Sequence, residues 1–196
     1  MVGGKTFRVQ GGRVVLGIFA AATLALAACS SSGSPGTGAS TTQPPQETSS
    51  TPTTTASAAD KAKQDATAAY LGMWREFAVA GTTSDWQSAA LGKYATGVAL
   101  TNLTRGLYAD HYNKLVTKGE ATHDAKVASA EPADNPTKII VTDCSDSTKA
   151  LKYRADNGQL ADDTPGGRRL INGQVELQGD KSWKVTDFAV REVGTC

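Results

Sequence analysis

Histidine is scarce in this 196-residue chain, with His111 and His123 the only two, and cysteine is hardly commoner, at three (Cys29, Cys144 and Cys196). These five residues show no metal-ligand spacing, so no metal site and no cofactor are expected. Glycine-rich phosphate fingerprints and a nucleophile elbow are also lacking. An excess of charge of either sign is missing too: 20 basic residues stand against 19 acidic ones. A chain so balanced has no electrostatic footprint for nucleic acid and no basic cluster for anionic lipid heads. There is no apolar run of the ~20 residues that a membrane-spanning helix needs.

What is present divides into three parts. Residues 1–28 carry Lys5, Arg8 and Arg13 but no acidic side chain, and an apolar stretch runs from Val14 to Ala28. That length and those flanks fit a secretory signal peptide. The stretch ends in Leu26-Ala27-Ala28-Cys29. This resembles the bacterial lipobox, in which an aliphatic residue and two small ones precede a cysteine that receives a diacylglycerol and becomes the first residue of the mature chain. The resemblance implies lipid, including palmitate, on Cys29, and two acyl chains give durable anchoring where one binds only marginally. The expected location is the extracytoplasmic face of a bacterial cell membrane. The alternative is an ordinary signal peptide followed by a chance cysteine. Without its leader the chain has 17 basic and 19 acidic residues, so any membrane contact must come from the anchor.

Residues 29–59 follow as a tether. From Ser30 to Ser57 the composition is Ser, Thr, Pro, Gly, Gln and Ala, with Glu47 the sole charge. Such a segment buries too little apolar surface to offset its ordering entropy. As a flexible coil it spans roughly 30 Å r.m.s..

Residues 60–196 form the one part able to bury a core. If Cys29 carries lipid, Cys144 and Cys196 remain as a pair, and export favours a disulfide between them. Closing a loop of about 50 residues contributes up to ~4 kcal/mol in the chain-entropy model. Two free buried thiols are the alternative.

The periodicity predicts helices first. Asp60 opens a helix to about Ala80, with Tyr70, Met73, Trp74 and Phe77 on one face; such a stripe reads as core. A shorter helix from Ser84 or Asp85 carries Trp86, Ala90 and Tyr94 and closes at Gly97. A third, from about Ala99 to Thr117, shows Leu100, Leu103, Leu107 and Leu115 as its stripe, with Gly119 as its stop. After Gly119 the period becomes two. Strands are predicted at Thr122–Ala130, Lys138–Cys144, Thr148–Arg154, Arg169–Gln178 and Trp183–Val193. Ile139, Ile140 and Val141 suit both faces of a central strand. Asn157-Gly158 and Gly179-Asp180 mark tight turns, the latter with glycine at positive φ. In the last strand Trp183 and Val185 share one parity, and Phe188 and Val190 the other. That slip predicts a bulge near Thr186-Asp187 and a curved sheet. The expected class is α+β, with helices packed on a curved antiparallel sheet around an internal pocket.

Helices followed by a bent meander ending in Trp183-Lys184-Val185 resemble the NTF2-like or SnoaL-like superfamily. More narrowly, the domain is similar to secreted actinobacterial lipoproteins of that fold. The likeness rests on the Asp143-Cys144 strand end, the Asn157-Gly158 turn, Thr164-Pro165-Gly166-Gly167, the Trp183 strand and the terminal Cys196. It departs in having no strands between the helices. The resemblance implies a cone with a pocket, and it admits isomerases, cyclases, dehydratases, transport factors and non-catalytic domains alike.

Four residues are candidates for the pocket. His111 falls in the middle of the third helix's leucine stripe, where it is either a pocket acid/base or a core histidine. Asp143 shares a strand face with Ile139 and Val141, and is either a pocket carboxylate or a solvated strand end. Tyr94 and Tyr153 offer hydroxyls to a ligand or fill the core. Asp110 and His123 read as surface. Pro165-Gly166-Gly167-Arg168-Arg169 is either an anion nest or, more simply, a loop entering a strand. The leading functional expectation is a non-catalytic binding domain for a small apolar ligand or an envelope protein. The alternatives are a ketosteroid-isomerase-like pocket enzyme using His111 or Asp143, and an accessory to cell-wall assembly. A homodimer is a possible state of any of them.

Overall fold

In the computed structural model, residues 57–161, 164 and 166–196 are described. The leader, the lipobox Leu26-Ala27-Ala28-Cys29 and nearly all of the tether lie outside them.

Helix α1 spans Ala58–Gly81. Its cap is Ser57, one turn earlier than the expected Asp60. The Ser57 side chain accepts the Asp60 N–H and donates its own proton to the Asp60 carboxylate at 2.8 Å. One orphan backbone N–H of the first turn is thereby satisfied. The expected second helix shrinks to α2, Leu91–Tyr94. The cause is local. Ser84 takes a left-handed φ of 54°, and Asp85 turns its carboxylate onto the Gln87 N–H, offering the backbone a turn in place of a helix. Helix α3, Gly97–Tyr112, also ends early. Asn113 returns its amide to the Ala109 carbonyl and Lys114 enters the left-handed region at φ 55°, so the chain leaves the helix before Leu115.

Leu115 therefore begins a strand, β1 (Leu115–Lys118), that the periodicity did not indicate. Five more follow: β2 (Ala125–Glu131), β3 (Lys138–Asp146), β4 (Leu151–Arg154), β5 (Arg168–Leu177) and β6 (Trp183–Val190). They form two antiparallel sheets where one meander was expected. The larger has the order β2-β3-β5-β6, and β4 leaves it to pair with β1. The expected α+β class holds, and β3 is central as its two-faced apolar run required. The predicted slip in β6 is present: Gln174 faces Asp187 and Val175 faces Val185, leaving Thr186 as the extra residue. A second bulge in β2 leaves Ala128 unpaired between Val127 and Ser129. Bulges bend strands, so the sheet curves. In the Gly179-Asp180 turn it is Lys181, not Gly179, that takes the positive φ; the Asp180 carboxylate holds the turn by accepting from the Ser182 N–H and hydroxyl.

Alternation along β3 turns Ile139, Val141, Asp143 and Ser145 to one buried face. Their partners on β5 are Val175, Gly173, Ile171 and Arg169. This inward face is thus apolar at one end and polar at the other. Helix α1 lies across it. Tyr70 sits on Gly173, where an added Cβ would lie 2.7 Å from its ring; that close approach requires glycine. Met73 of α1 and Leu103 and Leu107 of α3 complete the core. A disulfide joins Cys144 to Cys196 with Cα atoms 5.8 Å apart. It ties the last residues beside β5, where Gly194 donates to the Arg168 carbonyl and Leu170 to the Thr195 hydroxyl.

Candidate functional site

At the polar end of the inward face the two layers do not close. The second half of α1, β1, the 119–123 connection and the ends of β3, β5 and β6 surround a cavity of about 620 Å3. Such a volume falls within the range of small-molecule sites. Trp74, Phe77, Ile171 and Val190 form apolar walls; His123, Ser145 and Arg169 supply polar groups. The helix stripe read as core is therefore divided. Tyr70 and Met73 are buried, whereas Trp74 and Phe77, one turn on, face the cavity.

Beneath the cavity lies a polar network centred on Asp143, which is completely buried. One carboxylate oxygen accepts the Asp124 N–H at 2.8 Å. The other accepts the Tyr70 hydroxyl at 3.0 Å and meets His123 Nδ1 at 2.6 Å. Three donors converge on one carboxylate, the arrangement a buried charge requires. Because that carboxylate only accepts, His123 carries its proton on Nδ1. Burial, reinforced by the negative charge of Asp143, raises the pKa of the Tyr70 hydroxyl far above the ordinary tyrosine range. The Trp74 indole N–H faces the same hydroxyl and tempers that rise, although it completes no hydrogen bond.

His123 is held by stacking as well. Its ring lies nearly parallel to that of Trp74, at 20° with centroids 5.7 Å apart, and edge-on to Tyr70. Its side chain is 12% exposed, so it is not the surface residue the sequence suggests. With Nδ1 fixed on Asp143, Nε2 is left without a partner among the described residues and belongs to the cavity wall. A carboxylate that orients a histidine whose second nitrogen meets a cavity is able to bind a polar group or to move a proton.

The four residues singled out in the sequence do not meet. Asp143 reaches the cavity only through His123. His111 is exposed and borders a separate, shallower hollow of about 360 Å3, because α3 ends beside it and the leucine stripe does not continue through Leu115. Tyr94 packs on Gly72 beneath the Lys93 ammonium, and Tyr153 lies on β4 under Lys118. Asp110, read as solvated, is only 14% exposed in its side chain and paired with Lys152. The residues that do meet, His123, Trp74, Ser145 and Arg169, had only faint signals. Ser145 continues the parity of Asp143, and Arg169 closes the glycine-arginine run. Among the described residues no group of three or more His, Cys, Asp or Glu side chains is placed to hold a metal ion, and no helix is long and apolar enough to cross a membrane.

Neither a family model nor a curated protein matches the chain in sequence. Among solved structures it is similar to the intermembrane-space region of the chloroplast protein ARC6, with a TM-score of 0.47 and 17% identity over 65% of this chain and 95% of that one. It is also similar to a ketosteroid isomerase-like protein from Erwinia carotovora atroseptica SCRI1043, with a TM-score of 0.44 and 12% identity over 67% of this chain and 95% of that one. No residue role is carried over from either.

Proposed function

We propose that this chain is a lipid-anchored extracytoplasmic domain of NTF2-like type that binds a small, largely apolar molecule. The observation that carries the reading is the cavity between Trp74 and Phe77 on one side and Ile171 and Val190 on the other. A wall of this kind left against water is costly in a domain that closes its other end completely, and an apolar guest removes that cost. Native mass spectrometry of the mature chain purified from its own host tests this. The expected result is an adduct of small-molecule mass that is lost on Trp74→Ala; a bare chain that also fails to take up any apolar probe sinks the reading. The anchor is tested separately. Labelled palmitate should enter the wild-type chain and not Cys29→Ser, which should be released from the membrane.

The Asp143–His123 pair supports a second reading, an acid–base enzyme in which His123 Nε2 is the base and Asp143 positions it. This moves the base from His111 or Asp143 themselves. The bound molecule, incubated in deuterium oxide, should exchange a carbon-bound proton with the wild-type chain and not with His123→Gln. Exchange that survives the substitution eliminates His123 as the base.

A further inference from the structure

Two donors at the polar end of the cavity have no acceptor among the described residues. Ser145 is 6% exposed and lines the cavity, yet its hydroxyl makes no hydrogen bond among the described residues. Arg169 stands directly across from it as its cross-strand partner on β5. Among the described residues the guanidinium of Arg169 forms no ion pair, and its Nε is buried without an acceptor. A buried N–H left unmade is costly, so the Arg169 Nε, with the unbonded Ser145 hydroxyl beside it on the cavity wall, marks the place of a missing acceptor. The neighbouring acid does not supply it. Asp143, two residues before Ser145 on the same face, commits its oxygens to Tyr70, His123 and Asp124, and forms no ion pair with Arg169.

We infer that Ser145 and Arg169 form the head-group site for an amphipathic monocarboxylate, whose apolar body lies against Trp74, Phe77 and Ile171. This rests on the ligand-binding reading above and names the ligand class. The fork of an arginine matches the two oxygens of a carboxylate, and one adjacent hydroxyl completes the set. The charge of the wall sets the valence. Arg169 and Arg75 line the cavity against Glu120, which leaves a single positive charge and suits a monoanion better than a dianion. The glycine-arginine run before β5 is thus a loop entering a strand, as the simpler sequence reading had it, and its last arginine turns inward instead of making a nest with the first. Arg168 turns away to donate to Cys144 Sγ at 3.2 Å.

Titration calorimetry distinguishes the site from the cavity that contains it. The protein is the mature chain from residue 29 with Cys29→Ser, so that no acyl group of its own competes. The probes are dodecanoate, dodecanol and dodecyl phosphate, each below its micellar concentration. Dodecanoate should bind most tightly. Arg169→Met should weaken it by about tenfold to a hundredfold while changing dodecanol less than about threefold, since only the charged hydrogen bonds are lost. Ser145→Ala, which preserves the fold should Arg169→Met disturb it, should weaken dodecanoate by about threefold to tenfold and spare dodecanol. Equal affinity for dodecanoate and dodecanol overturns the head-group site and leaves the apolar cavity standing. Tighter binding of dodecyl phosphate overturns the carboxylate assignment. Failure of all three probes overturns the ligand-binding reading itself.

Discussion

The two ends of the inward sheet face are built from the same strands and differ in what covers them. At one end Ile139, Val141, Val175 and Val185 are wholly buried in one cluster with Tyr70 and Met73. At the other, Ser145, Arg169, Ile171 and Val190 face a cavity, and Val190 is 43% exposed. Helix α3 accounts for much of the difference. It packs chiefly on β6 and stops at Tyr112, and the far end is covered by α1, the short β1 and the 119–123 connection, which leave a cavity. The closed end provides stability; the open end trades packing for volume. Asp143 sits where the two meet, and its network is the hinge of the comparison.

The largest expected effect belongs to the closed end. Ile139→Ala removes a side chain with no solvent exposure from the inward face at that end. It should cost about 3 kcal/mol, within the usual range for such truncations, and leave binding to the cavity unaltered. Urea unfolding at fixed pH measures the first, and calorimetry with dodecanoate the second. A loss below about 1 kcal/mol would mean that the helices are loosely docked there and that both ends of the face are open in solution.

The junction comes next. Tyr70→Phe deletes one of the three donors to Asp143 and should cost about 1–1.5 kcal/mol at neutral pH. Its pH dependence is the sharper test. The folded-state pKa of Tyr70 is raised by burial and by Asp143. Above about pH 10 the unfolded chain gives up the tyrosine proton while the folded one keeps it. The unfolded state then binds fewer protons, so stability falls as pH rises. This contribution is complete below pH 10 and is lost progressively above it. The wild-type chain should therefore lose stability between pH 9 and 11 more steeply than Tyr70→Phe, as followed by thermal melts. Equal slopes would show that water reaches Tyr70 from the cavity side.

The closed end was far more legible in the sequence than the open one. The α1 stripe repeats at helical spacing, β3 is apolar on both faces, and the parity slip in β6 marks its bulge; each signal is local. The departures are local as well, but they depend on single backbone choices. Asn113 is a residue type that ends helices, but the signal is outweighed by Leu115, which fits the helical spacing it does not follow. The failure at His111 follows from that one error. The open end was hidden for another reason. Its polar groups come from α1, from the connection before β2, from β3 and from β5, and become neighbours only when the strands pair. His123 reads as surface until Trp74 is laid upon it. Ser145 falls just past the expected end of one strand and Arg169 at the start of another, and only the β3–β5 register sets them opposite one another.

The smallest stability effect is the most direct test of the whole comparison. Val175 and Val190 lie on the inward face of adjacent strands, Val175 paired with Val185 and Val190 with Ile171. The same substitution, valine to alanine, removes the same two methyl groups from each. At Val175, which has no exposure, it should cost about 2 kcal/mol. At Val190 the methyl groups already border the cavity, so little further contact is lost and the cost should stay within about 0.5 kcal/mol. Binding should show the reverse order, with dodecanoate and dodecanol both weakened several-fold by Val190→Ala and neither by Val175→Ala. Equal costs at the two positions would mean that the far end closes in solution as the near end does. The cavity would then have no standing volume for a ligand to fill.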